Sequence, residues 1–205
     1  SHGKFVTIDG VKVWAQRLSY VGEVGFELYA NIDESKKLFL AIIKEGKNHG
    51  LSLCGAHAMD IMRMESGFLH WGHDISPEEN QYQAGLKFAI SYKKNINFVG
   101  KEALLKIKDQ NPTKSLAMMV LKDNRPGEPL LLHEEPIYLD DKIIGRTTSG
   151  NYSFNFKKNI SFGYVNSGNT IENLVNKNLS IEVEKKKYPV TIIKKPLNQK
   201  NIKDI

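Results

Sequence analysis

The feature that most constrains this 205-residue chain is a change of texture after Asn111-Pro112. Beyond that break, six short runs read as strands: 116–121, 135–139, 143–149, 161–165, 179–183 and 188–193. Gly, Asn, Asp and Pro separate them. Strands this short, joined by close turns, pair with their neighbours in antiparallel, and their shared apolar face must be buried by closure or by a second layer. The expectation is a small antiparallel β-barrel or sandwich. A domain boundary is placed at the break, dividing the chain into 1–111 and 112–205.

The first part has a mixed texture. Residues 11–20 alternate apolar and polar, the period of a half-buried strand. Gly22 and Gly25 permit a reversal, and Phe26, Leu28 and Ala30 alternate again, which predicts a hairpin. Asp33 is the expected N-cap of a helix whose apolar stripe is Leu38, Phe39, Ile42 and Ile43, ending at Gly46 or Gly50. A short strand over 51–54 is expected next, with Cys54 as a buried structural thiol. Gly55 then opens a second helix, 56–66. Ala58, Ile61, Met62 and Glu65 share one of its faces, Asp60 and Arg63 lie beside it, and Gly67 ends it. Residues 71–77 have turn chemistry. A strand is expected over 83–91 and a short helix over 98–107, opening near Gly100. Ser1 to Gly3 is set aside from the fold reading, and 198–205 reads as a polar tail. The fold class is α+β: a partial α/β domain with an antiparallel hairpin and two main helices, followed by the small barrel.

Composition excludes several classes. Hydrophobic residues make up 40% of the chain and charged residues 25%, a globular balance. No apolar run approaches the ~20 residues of a membrane-spanning helix, so no membrane partner is expected. The one cysteine, Cys54, has no partner at disulfide or zinc spacing, and the expected compartment is reducing and cytoplasmic. The net charge of +6 invites a nucleic-acid reading, but the lysines are scattered. The one trio, Lys185-Lys186-Lys187, is flanked by Glu182 and Glu184. A groove binder needs a continuous basic stripe, so a solvated surface is the better reading and no nucleic-acid partner is expected.

Among residues able to carry chemistry, no phosphate loop and no dinucleotide fingerprint appears. His57, His70 and His73 lie close in sequence, with Asp74 beside them. The spacing of this group does not make a metal-ligand set, and no metal site is expected. Glu23 and Glu27 lie in and after the Gly22–Gly25 turn. Glu27 sits between Phe26 and Leu28 and so points to the opposite face. Spacing alone reads it as solvent-facing; the other reading is an acceptor for an N–H/NH2 pair on a heterocycle, which a carboxylate takes in a bidentate way.

At this point the residues resemble a family. Arg17-Leu-Ser-Tyr20-Val-Gly22-Glu-Val-Gly25-Phe-Glu27-Leu-Tyr29 is similar to a glycine-rich segment of the aminomethyltransferase (glycine-cleavage T-protein) superfamily. Gly55-Ala-His-Ala-Met59-Asp60-Ile-Met-Arg63-Met-Glu65-Ser-Gly67 resembles its helix. Trp71-Gly-His-Asp-Ile75, Ala84-Gly-Leu-Lys-Phe88 and Phe98-Val-Gly-Lys-Glu-Ala-Leu104 continue in the same order. Gly145-x-x-Thr148-Ser149-Gly150-x-Tyr152 and Ile160-Ser-Phe-Gly-Tyr-Val165 resemble pieces of its C-terminal barrel. The wording around Met59-Asp60 and Trp71-Gly-His-Asp74 is closest to dimethylglycine and sarcosine dehydrogenases.

The resemblance implies a folate-binding, one-carbon-transfer module using tetrahydrofolate and a methylated-amine or aminomethyl substrate. It implies that Glu27 grips the pterin ring and that Tyr20, on the preceding strand, faces it. It also implies roles for Arg63, either as a folate contact or as a structural partner of Asp60 or Glu65, and for Trp71, as pocket wall or core. Departures accompany it: Met59 stands where the T-protein has an arginine, and Asn198 near its C-terminal tyrosine. The family's catalytic aspartate and about half of its folate domain are expected upstream, leaving no catalytic residue in this chain. FAD is expected only if an upstream domain carries it, and the missing N-terminal portion or partner subunits are expected partners. A second reading is a non-catalytic folate-binding or regulatory relative; a basic nucleic-acid module ranks below both.

Overall fold

The computed structural model describes residues 2–123, 125–166 and 170–199. The chain forms two compact units, one of residues 1–66 with 198–205 and one of 67–197.

In the first unit, β1 (Gly3–Ile8), β2 (Val11–Gln16) and β3 (Glu27–Tyr29) form an antiparallel sheet in the order β1-β2-β3. Asp9 and Gly10 join β1 to β2, both at positive φ (47° and 78°), the two-residue turn whose twist matches a hairpin. Gly3, set aside in the sequence, begins β1 opposite Gln16, and His2 O accepts the Arg17 N–H. The predicted β2–β3 hairpin forms, but ten residues separate its strands, so Tyr20 lies in a bend and not on a strand. Strand alternation sends Val11 and Val13 to a core with Leu38, against which Val6, Ile8, Ala30 and Ile42 pack.

The first helix, α1 (Ser35–Gly46), follows a 3-10 turn at Ile32–Glu34 that contains Asp33, so Asp33 is not its N-cap. Only part of its predicted stripe is buried: Leu38 faces the sheet, while Phe39, about 100° further round the helix, is exposed. Gly50, left-handed at φ 73°, closes the element as expected. Residues 51–54 make no strand, because no partner strand lies alongside them among the described residues, and Cys54 is exposed rather than buried. The second helix, α2 (Ala56–Glu65), buries Ile61, Arg63, Met64 and Glu65. Asn198, predicted to belong to a polar tail, is anchored: its N–H donates to Glu65 O at 2.8 Å and its amide to Ser66 Oγ at 3.1 Å. Residues 200–205 of that tail lie outside the described residues.

In the second unit, residues 83–91 are turns and a 3-10 segment instead of a strand. The Asn80 side chain accepts the Tyr82 and Gln83 N–H groups, and Leu86 N–H reaches Gln81 O. These donors are satisfied locally, so none is left for a ladder. The predicted short helix is α3 (Lys101–Ile107), entered through left-handed Gly100.

All six predicted β runs form strands: β4 (Lys114–Leu121), β5 (Pro136–Leu139), β6 (Lys142–Ser153), β7 (Lys158–Asn166), β8 (Leu179–Val183) and β9 (Lys186–Ile193). They close into an antiparallel barrel, ordered β4-β7-β6-β5-β8-β9, which settles barrel over sandwich. Alternate residues (Ala117, Met119 and Leu121 on β4; Leu179 and Ile181 on β8; Val190 and Ile192 on β9) fill its interior. A short helix, α4 (Ile171–Leu174), adds Leu174 to that core. The lysine trio sits at the β8–β9 hairpin turn, where Lys187 pairs with Asp141. No helix among the described residues is long and apolar enough to cross a membrane.

Candidate functional site

The first unit's sheet has two faces. Val11 and Val13 point to the core, so strand alternation sends Lys12, Trp14 and Gln16 to the other face. Cross-strand register adds Phe5 opposite Trp14, Tyr29 opposite Trp14 on the other side, and Glu27 opposite Gln16. The result is a face carrying three aromatic rings and one carboxylate. Phe5 and Trp14 meet edge to face, with ring centres 5.0 Å apart. Gly3 has no side chain because the Trp14 ring lies over it; a Cβ there would come 2.4 Å from that ring.

Glu27 is half-buried on this face. Its Oε2 accepts a short hydrogen bond from the Tyr29 hydroxyl, two residues along the same strand. That bond raises the Tyr29 pKa above its ordinary value, with burial and the Glu27 charge adding to it. The phenol therefore stays protonated and keeps donating. A carboxylate fixed from one side by a phenol has directed lone pairs left for a donor pair on a ligand.

The bend between β2 and β3 is held by backbone chemistry. Gly22 sits at φ 73°, and a Cβ on it would come 1.9 Å from Ser66 Oγ. Ser66 Oγ in turn donates to Val21 O. Tyr20 lies half-buried in this bend. Arg63 is buried, with 1% exposure, and forks onto one oxygen of Asp60 through Nε at 2.9 Å and Nη2 at 2.8 Å. Glu27, Tyr20 and Arg63 thus belong to the first unit. Trp71 belongs to the second, where it is 65% exposed, which rules out the core reading for it.

The second unit contains a polar centre. Residues 70–75 fold into a turn in which Asp74, 0% exposed, closes the loop by accepting the His70 N–H on Oδ2 at 2.9 Å. Its Oδ1 accepts the Thr148 and Ser149 hydroxyls at 2.6 and 2.8 Å. The Tyr164 hydroxyl donates to the Asp74 carbonyl at 2.9 Å. Burial, and then the charges of Glu79 and Asp74, push the Tyr164 pKa up, so it remains a donor. Beside this centre lies a cleft of about 600 Å³, lined by His73, Ser76, Glu79, Lys114, Arg146 and Tyr164 among others. The His70 and His73 rings meet at a tilt of 39°, with centres 4.5 Å apart. No group of three or more His, Cys, Asp or Glu side chains among the described residues is arranged to hold a metal.

Trp14, Gln16 and Tyr29 were not singled out in the sequence, yet the alternation that places Glu27 also places them. In the sequence Asp74 is marked as a neighbour of the histidines and as the end of the Trp71-Gly-His-Asp74 segment, with no role of its own. Its partners are 74 and 75 residues away, and no local spacing signals them.

Two family models match the chain in succession, and the first extends past Ser66 into the second unit. The GCVT N-terminal domain family matches residues 1–94, and the glycine cleavage T-protein C-terminal barrel domain family matches 114–198. A 4-methylaminobutanoate oxidase (formaldehyde-forming) of Paenarthrobacter nicotinovorans is 40% identical over 152 residues, covering 74% of this chain and 18% of that protein. The mitochondrial dimethylglycine dehydrogenase of Homo sapiens is 33% identical over 196 residues, covering 95% of this chain and 22% of its own length. The crystal structure of glycine cleavage system aminomethyltransferase T from Bartonella henselae superposes with a TM-score of 0.78 at 22% identity, covering 91% of this chain and 50% of that one. The chain therefore spans half or less of each of these proteins. With both of the family's domains matched in order along it, the chain belongs to the glycine cleavage T-protein (aminomethyltransferase) family.

Proposed function

We propose that this chain is a folate-binding, one-carbon-transfer module, part of a larger enzyme of the dimethylglycine or sarcosine dehydrogenase type or of the T-protein type. The observation that carries this reading is the Glu27–Tyr29 pair on the aromatic face of the β1–β2–β3 sheet. A pterin ring presents adjacent N–H and NH2 donors, and a carboxylate accepts such a pair side by side. The donor set fits: Glu27 is half-buried and held at Oε2 by a protonated phenol, and it stands among rings suited to a flat heterocycle. Bound tetrahydrofolate would supply the amine nitrogen that takes up a one-carbon unit. The chain's own part is to hold the ring, with Glu27 as anchor, Tyr29 as its support and Tyr20 facing it from the neighbouring bend.

Trp71 is proposed as a folate-facing residue on the strength of the family resemblance. For Arg63, the buried fork onto Asp60 supports the structural pairing over a ligand contact. The names of the relatives support a methylated amine or an aminomethyl group as the one-carbon source. FAD chemistry, where it occurs, would reside in a separate domain, as would the catalytic acid. An exposed free thiol at Cys54 suits a reducing, cytoplasm-like compartment.

Titrating tetrahydrofolate into the protein and into Glu27→Gln tests the anchor. The amide keeps the size but replaces one acceptor oxygen with a donor, so affinity should fall by about tenfold or more. Equal affinity of the two proteins would remove Glu27 from the site.

A further inference from the structure

The Asp74 centre has a geometry that burial alone does not demand. In a regular strand Thr148 and Ser149 would point to opposite faces of β6. Here the register of β6 against β7 shifts between Thr147 and Ser149, leaving Thr148 as the extra residue of a bulge. A bulge re-aims a side chain, and this one brings both hydroxyls onto the same oxygen of Asp74. On either side of the pair, Gly145 and Gly150 are pressed against backbone or side chain: a Cβ on Gly145 would come 1.8 Å from Tyr164 O, and one on Gly150 2.4 Å from Leu131 Cβ. The Gly-x-x-Thr-Ser-Gly pattern is thus the set of residues that lets this strand bulge toward Asp74. From the other end, Asp74 closes the 70–75 turn through the His70 N–H, while Gly72, at φ 88°, donates its N–H to Ile75 O. Trp71 stands at the tip of that turn, largely uncovered, so the turn's backbone sets its placement more than packing does.

We infer that Asp74, with the Thr148–Ser149 bulge, is a positioning clamp: it ties the 70–75 turn to the barrel and thereby fixes the orientation in which Trp71 is presented to ligand. The functional half of this inference rests on the proposed folate-facing role of Trp71. The clamp itself rests only on the geometry of the second unit. Removing the Thr148 hydroxyl takes away a donor to Oδ1. Replacing Asp74 by Asn keeps the shape, but its amide nitrogen cannot accept the His70 N–H if its oxygen stays on the hydroxyls.

The test uses the full chain labelled with 5-fluorotryptophan. Its two tryptophans give two fluorine resonances, assigned with Trp14→Phe. In Asp74→Asn and Thr148→Val the Trp71 resonance should shift or broaden while the Trp14 resonance stays in place. Thr148→Ser, which keeps the hydroxyl, should restore the native signal. Tetrahydrofolate affinity should fall about tenfold in Asp74→Asn and about threefold in Thr148→Val, and return in Thr148→Ser. A purely structural carboxylate would lower the melting temperature and leave the Trp71 resonance of the folded protein where it was, and that result overturns the clamp. If Asp74→Asn does not fold, the Thr148→Val and Thr148→Ser pair decides alone. A moved resonance with unchanged folate affinity overturns the functional half. If the native protein does not bind tetrahydrofolate, the folate reading falls, and the fluorine comparison still decides the clamp.

Discussion

The two units solve the same problem, burying one face of a short-stranded sheet, by different means. The barrel closes on itself, and a dozen side chains from its strands, Leu131 and Leu174 fill its interior. The three-stranded sheet of the first unit stays open and packs one face on α1, with Val11, Val13 and Leu38 as its buried members. Its other face keeps Phe5 and Tyr29 in solvent beside Glu27. Closure removes strand edges and makes each interior residue depend on all the others. An open sheet leaves a face on which rings and a carboxylate are available to a ligand. The larger apolar core lies in the closed unit, and the proposed pterin anchor, Glu27, lies on the open sheet.

The strongest test of that contrast is Ile137→Ala. Ile137 is fully buried in the barrel core, and deleting its branched side chain leaves a cavity that a closed barrel cannot collapse around. A loss of about 3–4 kcal/mol is expected in chemical denaturation. Val13→Ala, in the thinner core of the first unit, should cost less, about 1–2 kcal/mol. Similar losses for the two would show that the open sheet is as tightly packed as the barrel.

Gly22→Ala probes the open unit's binding bend directly. The position combines a left-handed φ of 73° with a Cβ that would come 1.9 Å from Ser66 Oγ. Strain and clash together should cost about 2 kcal/mol and displace the Tyr20 bend. Tetrahydrofolate affinity should fall with stability. Unchanged affinity would mean that the bend takes no part in binding.

These differences also explain what the sequence made legible. The six barrel strands could be read because alternation, turn residues and burial agree at every one of them. The open unit was read less well. Residues 51–54 look like a strand but have none beside them among the described residues, and over 83–91 the Asn80 side chain takes the Gln83 N–H while local turn carbonyls take those of Ala84, Leu86, Ala89 and Ile90, which a strand would have offered to a ladder. The Asp9-Gly10 pair is a strong hairpin signal, and it places β1, a strand the alternation of 11–20 alone does not reveal. Glu27 was visible as a carboxylate at the head of an apolar strand, and Tyr29 as its same-face neighbour lay within reach of the same period. The Asp74 centre was not legible, because its partners are distant in sequence and meet it only through a one-residue bulge. Bulges leave no periodic trace.

A pH scan separates the barrel's electrostatics from its packing. Glu79 is nearly buried and meets Lys114 at 2.5 Å, with Ser76 N–H and Oγ also on its carboxylate. Burial pushes its pKa up, but the Lys114 and Ser76 hydrogen bonds and the lysine charge outweigh it and hold the carboxyl below its ordinary value. A depressed folded-state pKa means that the ion pair stabilises at pH above the unfolded carboxylate range. That contribution is lost as pH falls through the lower folded value. The native protein should therefore lose about 1 kcal/mol more between pH 7 and pH 3 than Glu79→Gln does. Parallel stability curves would show that Lys114 does not favour the charged form.

The smallest expected effect bears on the open face. In Tyr29→Phe the ring, and so the aromatic surface, is unchanged, and only the hydroxyl that donates to Glu27 is lost. Tyr29 is exposed, so the first unit should keep its stability. Glu27 would then regain a freely hydrated oxygen and lose its fixed orientation, and tetrahydrofolate affinity should fall by about threefold. Glu27→Gln alone should cost more than this, and Tyr29→Phe added to Glu27→Gln should cost little further, because the support matters only while the anchor is a carboxylate. If the two changes instead add in full, Tyr29 touches the ligand itself and the open face holds a second independent contact.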